Sequence, residues 1–239
     1  MKKQPVILLN AAFDTYNNRE CNILIGQYAE RVAAAGGIPL ILPVIENREL
    51  IVSSLTAADG VLLIGGKDYP AEFFGETTHP AADITRKRPR YDLWLSQYLL
   101  QDSTLPVLGI CAGCQMLAIA DGGKLCQHLP NADEYHRNGK FHSAAICADG
   151  WLSRSLGVAP GREFTVNSFH HQAVLGKSLQ QLQVTACAAD GTVEAIELPD
   201  KHRMVMGVQF HPERMDDLAP AIFGAFIANA AAYRSSRRD

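Results

Sequence analysis

Residues 106–120 read PVLGICAGCQMLAIA. Pro106–Ile110 is short, apolar and β-branched, and it runs through Gly109-Ile-Cys111-Ala-Gly113 into a helical pattern from about Cys114 to Ala120. A buried strand feeding a helix through a glycine-flanked turn is the repeating unit of an α/β fold. The same alternation extends towards the N-terminus. Val6–Leu9 and Ile38–Leu42 read as strands, the second closed by Pro43, and Val61–Ile64 as a third that opens into Gly65-Gly66. Between them, Ile23–Ala35 has apolar residues at helical spacing and stops at Gly36-Gly37, while Glu46–Ala57 and Leu93–Leu100 read as further helices. Near-continuous apolar strands imply a parallel sheet covered on both faces. Towards the C-terminus, Phe141–Cys147, Glu163–Val166, Leu182–Ala186, Val193–Leu198 and Met204–Phe210 read as strands joined by turns. Asp217–Tyr233 reads as a closing amphipathic helix, and Arg234–Asp239 as a frayed tail. The expectation is one α/β domain over residues 1–239: an open, mainly parallel sheet with helices on both faces. Such a sheet binds ligands beyond the carboxyl ends of its strands.

Composition narrows the function. With 47% hydrophobic and 20% charged residues, the 239-residue chain is neither disordered nor collagenous. A net charge of −3 gives no electrostatic reason to expect nucleic acid or an anionic membrane as partner. No apolar run approaches the ~18 residues of a spanning helix, and Val6–Leu9 is too short for a signal-peptide core, so the cytoplasm is the expected location. Six cysteines show no disulfide framework, which leaves them as packing, metal ligands or nucleophiles.

Gly109-Ile-Cys111-Ala-Gly113 at a strand end has the layout of a nucleophile elbow, with cysteine where hydrolases place serine. The helix that follows points its free amides at the sulfur, which favours thiolate, and the Ala112 amide is placed to donate to an oxyanion. Two other readings compete. Cys111 and Cys114 have the spacing of a redox dithiol, and with Cys126 and His128 they could be four zinc ligands. A base and its orienter come from Gln209-Phe-His211-Pro212-Glu213, where residues two apart in extended chain point the same way. The chain order Cys, His, Glu differs from the nucleophile, acid, His order of α/β-hydrolases. An amide of Gly65-Gly66 could complete an oxyanion hole. Asn167-Ser168-Phe169-His170-His171-Gln172 crowds polar groups after a strand and suits substrate hydrogen bonding. Metal binding by the adjacent histidines is disfavoured because they face opposite ways and no Asp or Glu is close in sequence. The basic run Arg86–Arg90 reads as a solvated face, with attraction of a substrate carboxylate as the other reading, and His79, His128, His136, His142 and His202 as structural or surface residues.

Together these segments resemble the class I glutamine amidotransferase-like superfamily, specifically its γ-glutamyl-γ-aminobutyrate hydrolase family. The resemblance spans nearly the whole chain. It is carried by Tyr28–Pro39, by Gly65-Gly66-Lys-Asp68-Tyr-Pro70 with Phe74-Gly75-Glu76, by Gly109–Gln115, by Asn167–Gln172 and by Gln209–Glu213. It implies a flavodoxin-like fold and a Cys111–His211–Glu213 triad that cleaves γ-glutamyl amides through a thioester, without cofactor or metal. It further implies an oxyanion hole from Gly65, Gly66 and Ala112, contacts to the glutamyl group by Gln115, Ser168, Phe169, His170 and His171, and a place in polyamine catabolism. A small γ-glutamyl compound is the expected partner, with a homodimer as an open expectation. In one respect the chain departs from the family, which commonly has Arg directly after the nucleophile where this sequence has Ala112. Two alternatives stand beside this reading: a glutaminase subunit supplying ammonia to a separate synthetase, and a non-catalytic or redox-sensing protein on the same fold.

Overall fold

The structure, a computed structural model, describes residues 4–130 and 132–237. The chain begins with strand β1 (Val6–Asn10) and a hairpin of β2 (Ala12–Tyr16) and β3 (Arg19–Ile23). Helix α1 (Gly26–Ala34), β4 (Ile38–Leu42), α2 (Arg48–Thr56), β5 (Gly60–Leu63) and α3 (Arg88–Gln101) follow, then β6 (Val107–Ile110) and α4 (Ala112–Ala120). Beyond them come β7 (Leu125–Cys126), β8 (Lys140–Ile146), α5 (Trp151–Leu156), β9 (Glu163–Ser168) and β10 (Ala173–Val174). The chain closes with β11 (Gln183–Ala188), β12 (Val193–Glu197), β13 (Val205–Val208) and α6 (Ala219–Ser236).

Nine strands form one sheet in the order β4-β1-β5-β6-β13-β12-β11-β8-β9. The five strands from β4 to β13 are parallel, and β12, β11, β8 and β9 extend the sheet antiparallel. The expected open sheet, its parallel strands joined by helices, is what the chain forms. Alternate residues of each buried strand face opposite ways. Leu8, Val61 and Leu63 therefore pack with α2, α3 and α4 on one face, and Ile7, Leu9, Leu62 and Ile64 with α1, α5 and α6 on the other. No helix among the described residues is long and apolar enough to cross a membrane.

Three local expectations change. Helix α1 starts at Gly26, because Ile23 belongs to β3. The hairpin turns at Asn17 and Asn18, whose φ values of 49° and 58° suit the two-residue turns that match strand twist. Helix α3, which contains the expected Leu93–Leu100, begins at Arg88 with Pro89 in its first turn, inside the basic run expected to precede it. Helix α6 runs to Ser236, and Arg234 and Arg237 are anchored: Arg234 Nη1 donates to Asp59 at 3.0 Å and Arg237 Nη1 to the Ala58 carbonyl at 2.8 Å. Residues 238 and 239 of the expected tail lie outside the described residues.

Candidate active site

Strands β5, β6 and β13 are parallel neighbours, with Leu63 beside Gly109 and Val208 beside Ile110. Their carboxyl ends therefore deliver Gly65-Gly66, Cys111 and His211 to one place. The two glycines around Cys111 are required by packing. A Cβ on Gly109 would lie 2.8 Å from the Gly113 backbone, and one on Gly113 would lie 2.2 Å from the Leu63 carbonyl oxygen. Helix α4 thus packs directly on the strand backbones. The turn forces Cys111 to φ 50° and ψ −105°, a left-handed conformation rare for a side-chain-bearing residue and recurrent at functional sites.

Cys111, His211 and Glu213 come together here. His211 Nδ1 lies 2.7 Å from Glu213 Oε1, both groups buried. Burial opposes the charged imidazole, but the negative Cys111 sulfur, the hydrogen bond to it and the Glu213 carboxylate prevail and push His211 up to about 10. Asn167 fixes the His211 backbone from both sides. Its Oδ1 accepts the His211 N–H at 2.8 Å and its Nδ2 donates to the His211 carbonyl at 2.9 Å. Gln115 donates to the Gln172 carbonyl at 2.9 Å and to Gln209 Oε1 at 3.2 Å, and Gln209 Nε2 donates to Cys111 Sγ at 3.6 Å. Gln115 thereby orients the amide that faces the sulfur.

Two side chains outside the expected set shape the Gly65-Gly66 turn. The Tyr28 hydroxyl accepts the Gly65 N–H at 3.1 Å, so that amide is committed within the protein. Burial, then the charges of Glu213 and Cys111, hold the Tyr28 phenol well above its ordinary range and keep it protonated. Arg88, expected on a solvated face, is 3% exposed. It donates through Nη1 to the Gly65 carbonyl (2.9 Å), through Nη2 to the Ile64 carbonyl (2.8 Å) and through Nε to Asp92 (2.8 Å). Asp92 also accepts from Tyr69 Oη (2.7 Å) and Asn10 Nδ2 (2.8 Å), and Asn10 Oδ1 accepts the Ile64 N–H (2.7 Å). A trans peptide points its C=O and the following N–H in opposite directions. With Gly65 O held by Arg88, the Gly66 N–H faces the other side and donates to no acceptor among the described residues. Gly66 must be glycine, since a Cβ there would sit 1.8 Å from Arg88 Nη1. Of the three expected oxyanion donors, Gly65 is therefore taken, while Gly66 and Ala112 are available.

A cavity of about 250 Å³ opens above Cys111, with Tyr28, Ile64, Gly65, Gly66 and His211 in its wall and Ile23 of the hairpin, Phe169 and Arg214 around its mouth. Phe169 meets the His211 ring edge-on at 5.4 Å and carries the Arg214 guanidinium 4.4 Å above its own ring. Of the five residues expected to touch substrate, only Phe169 reaches this cavity. Gln115 is spent as described, and Ser168 Oγ donates to the His136 carbonyl at 2.9 Å. His170 and His171 do face opposite ways. His170 turns into the interior towards Glu194, and His171 pairs with Asp68 at 3.0 Å. The acids missing from the local sequence are thus supplied by distant segments.

Cys114 is wholly buried against Gly207 of β13, and burial raises its thiol well above the usual range. Cys111, Cys114, Cys126 and His128 do not converge as a zinc set. Among the described residues, His136, His170 and Glu194 are the only group of three or more potential ligands whose atoms lie within 4.8 Å of one another.

A thiol beside an imidazole anchored on a carboxylate, with free backbone amides alongside, is equipped for acyl transfer. The Peptidase C26 family profile matches residues 5–213. The chain belongs to the Peptidase C26 family. Within the class I glutamine amidotransferase-like group to which these proteins belong, it is 33% identical over 241 residues to a Mycobacterium tuberculosis protein with a provisional glutamine amidotransferase name, covering 96% of this chain and 76% of that protein. It is 31% identical over 208 residues to gamma-glutamyl-gamma-aminobutyrate hydrolase PuuD of Escherichia coli strain K12, covering 78% of this chain and 77% of that one. Among solved structures, a Thermoplasma acidophilum protein provisionally assigned to GMP synthase shares the flavodoxin-like fold. Its TM-score is 0.69 at 19% identity, with 99% of each chain covered.

Proposed function

We propose that this C26 protein is a cysteine-dependent hydrolase of γ-glutamyl amides, releasing glutamate and a small amine or amino acid in the cytosol. The observation that carries the reading is the Cys111–His211–Glu213 arrangement, with a 2.7 Å carboxylate–imidazole contact and a cysteine held at φ 50°. In this mechanism the Cys111 sulfur attacks the δ-carbonyl, and the amides of Ala112 and Gly66 receive the developing oxyanion. His211, protonated and oriented by Glu213, gives its proton to the departing amine. The resulting thioester is cleaved by water that His211 deprotonates, which returns the proton and frees glutamate. Arg214, at the cavity mouth, supplies the cation for a substrate carboxylate that the Ala112 side chain cannot. The family relationship to PuuD makes γ-glutamyl-γ-aminobutyrate, and with it polyamine catabolism, the first substrate to try.

The test is glutamate release by the purified protein from γ-glutamyl-γ-aminobutyrate, other γ-glutamyl amines, γ-glutamyl peptides and glutamine, with Cys111→Ala as control. Selective release that the variant lacks supports the proposal, and activity retained by the variant refutes it. The amidotransferase names of other relatives favour a second reading, a glutaminase that serves a separate synthetase. Turnover of glutamine alone, rising on addition of a synthetase, would select it.

A further inference from the structure

Behind the cavity wall lies a second cluster that the proposed reaction does not use. Glu194, on β12, is completely buried. Its Oε1 is approached by His142 Nε2 at 3.4 Å from β8 and by His170 Nε2 at 3.8 Å from the loop after β9. Neither approach is a hydrogen bond. Among the described residues, His142 Nε2, His170 Nε2 and both carboxylate oxygens of Glu194 have no hydrogen-bond partner. His136, from the turn Ala132–His136, completes the group. Its ring centroid lies 4.8 Å from that of His142 and 5.0 Å from that of His170, and its ligand atom is within 4.8 Å of those of His170 and Glu194.

A carboxyl group buried with both oxygens unbonded is a costly arrangement in a protein interior. Two imidazole nitrogens aimed at it without bonding to it do not relieve that cost. The nitrogens that close on one another and on the carboxylate are those of His136 and His170, with His142 Nε2 on the Glu194 carboxylate alone. Zinc with nitrogen and oxygen ligands has bonds of about 2.0–2.1 Å in tetrahedral geometry, so neighbouring donor atoms stand about 3.3–3.4 Å apart. The 3.4 Å separation equals that edge and the 3.8 Å one exceeds it by about 0.4 Å. The surroundings agree as well. His136 Nε2 contacts Asp190 at 2.8 Å, the carboxylate–imidazole support that metal-bound histidines commonly carry. His170 Nδ1 sits 3.0 Å from the Gln172 carbonyl, which leaves its Nε2 as the ligating nitrogen. Glu194 and Asp190 together balance a dication.

We infer that His136, His170 and Glu194 form a buried site for one divalent transition-metal ion, Zn2+ by ligand type, with His142, 3.4 Å from the carboxylate, as the fourth donor. Its role is structural. The ion would tie together the turn Ala132–His136, β8, β12 and the loop that carries Phe169, and so fix one wall of the cavity. The site stands apart from the reaction and holds whether or not the proposed substrate is right.

The test uses full-length Cys111→Ala protein, so that the cysteine at the candidate active site cannot take up metal. After chelator treatment it is dialysed against Zn2+ or Co2+, and bound metal is measured by mass spectrometry, with the visible absorption of Co2+ as a report on tetrahedral coordination. The expected result is about one ion per chain, a tetrahedral Co2+ spectrum and a rise in Tm on loading. Affinity should fall at least about tenfold in Glu194→Gln and in His142→Gln, which alters a ring near the surface and preserves the buried carboxylate. Loss of binding in either folded variant supports the site. Failure of the Cys111→Ala protein to hold metal, or unchanged affinity in every variant that folds, would overturn it.

Discussion

Replacing Arg88 by lysine keeps a buried positive charge and removes the fork that holds the Gly65-Gly66 turn. The guanidinium meets three acceptors at once: two carbonyls at 2.9 and 2.8 Å and Asp92 at 2.8 Å. A single ammonium satisfies Asp92, the one buried counter-charge, and leaves the carbonyls of Ile64 and Gly65 without donors. Hydrogen bonds from a charged donor contribute about 1.5–3 kcal/mol each, so losing two costs the fold about 3 kcal/mol or more. The larger effect falls on chemistry. Once Gly65 O is released, the Gly66 amide is no longer aimed at the cavity, and loss of one oxyanion donor lowers kcat about 10²–10³-fold. KM should change little, because neither carbonyl touches substrate. Thermal denaturation of Arg88→Lys gives the temperature at which the protein stays folded, and kcat and KM are then measured below it. A folded Arg88→Lys protein with kcat within about threefold of the parent would refute the assignment of Arg88 as the residue that positions this donor.

Three further outcomes follow from the same geometry. Asn167→Ala should cost about 2–4 kcal/mol in urea unfolding, because it leaves the buried N–H and C=O of His211 unpaired, and it should lower kcat more than it raises KM. Cys114→Ala should cost about 1 kcal/mol and leave kcat unchanged; loss of activity in that variant would restore the dithiol reading. Because His211 rises from 6.5 to about 10 on folding, its contribution to stability is complete below pH ~6.5 and is lost as pH climbs towards 10. NMR titration of the His211 ring should show a midpoint near 10 in the parent and a lower one in Cys111→Ala, where the partner sulfur is gone; equal midpoints would contradict the pairing.

Those side chains differ in how plainly the sequence announced them. The strand ends that carry Cys111 and His211 were legible because apolar runs stop at glycine and proline; Glu213 meets His211 from a 3-10 turn, Pro212–Arg214, and not from the extended chain that alternation assumes. Arg88 was not legible, since it sits in a basic run and its burial depends on Asp92 one turn later and on carbonyls of a strand over twenty residues earlier. Tyr28 reads as one more apolar position of α1 until its hydroxyl is seen against Gly65. The hairpin that walls the cavity was missed because both its strands face solvent and lack the alternation of a half-buried sheet, although Asn17-Asn18 was a usable turn signal. The turn of His170 towards Glu194 follows from antiparallel pairing across four strands, which no local pattern encodes.

The central claim is that the Cys111 sulfur carries the glutamyl group between two half-reactions. The measurement that meets it most directly is mass spectrometry of protein quenched in acid during turnover of the best γ-glutamyl amide. One glutamyl adduct is expected on the peptide containing Cys111, lost after hydroxylamine treatment and absent from Cys111→Ala. Turnover by Cys111→Ala, or parent turnover with the adduct on another residue, would contradict it.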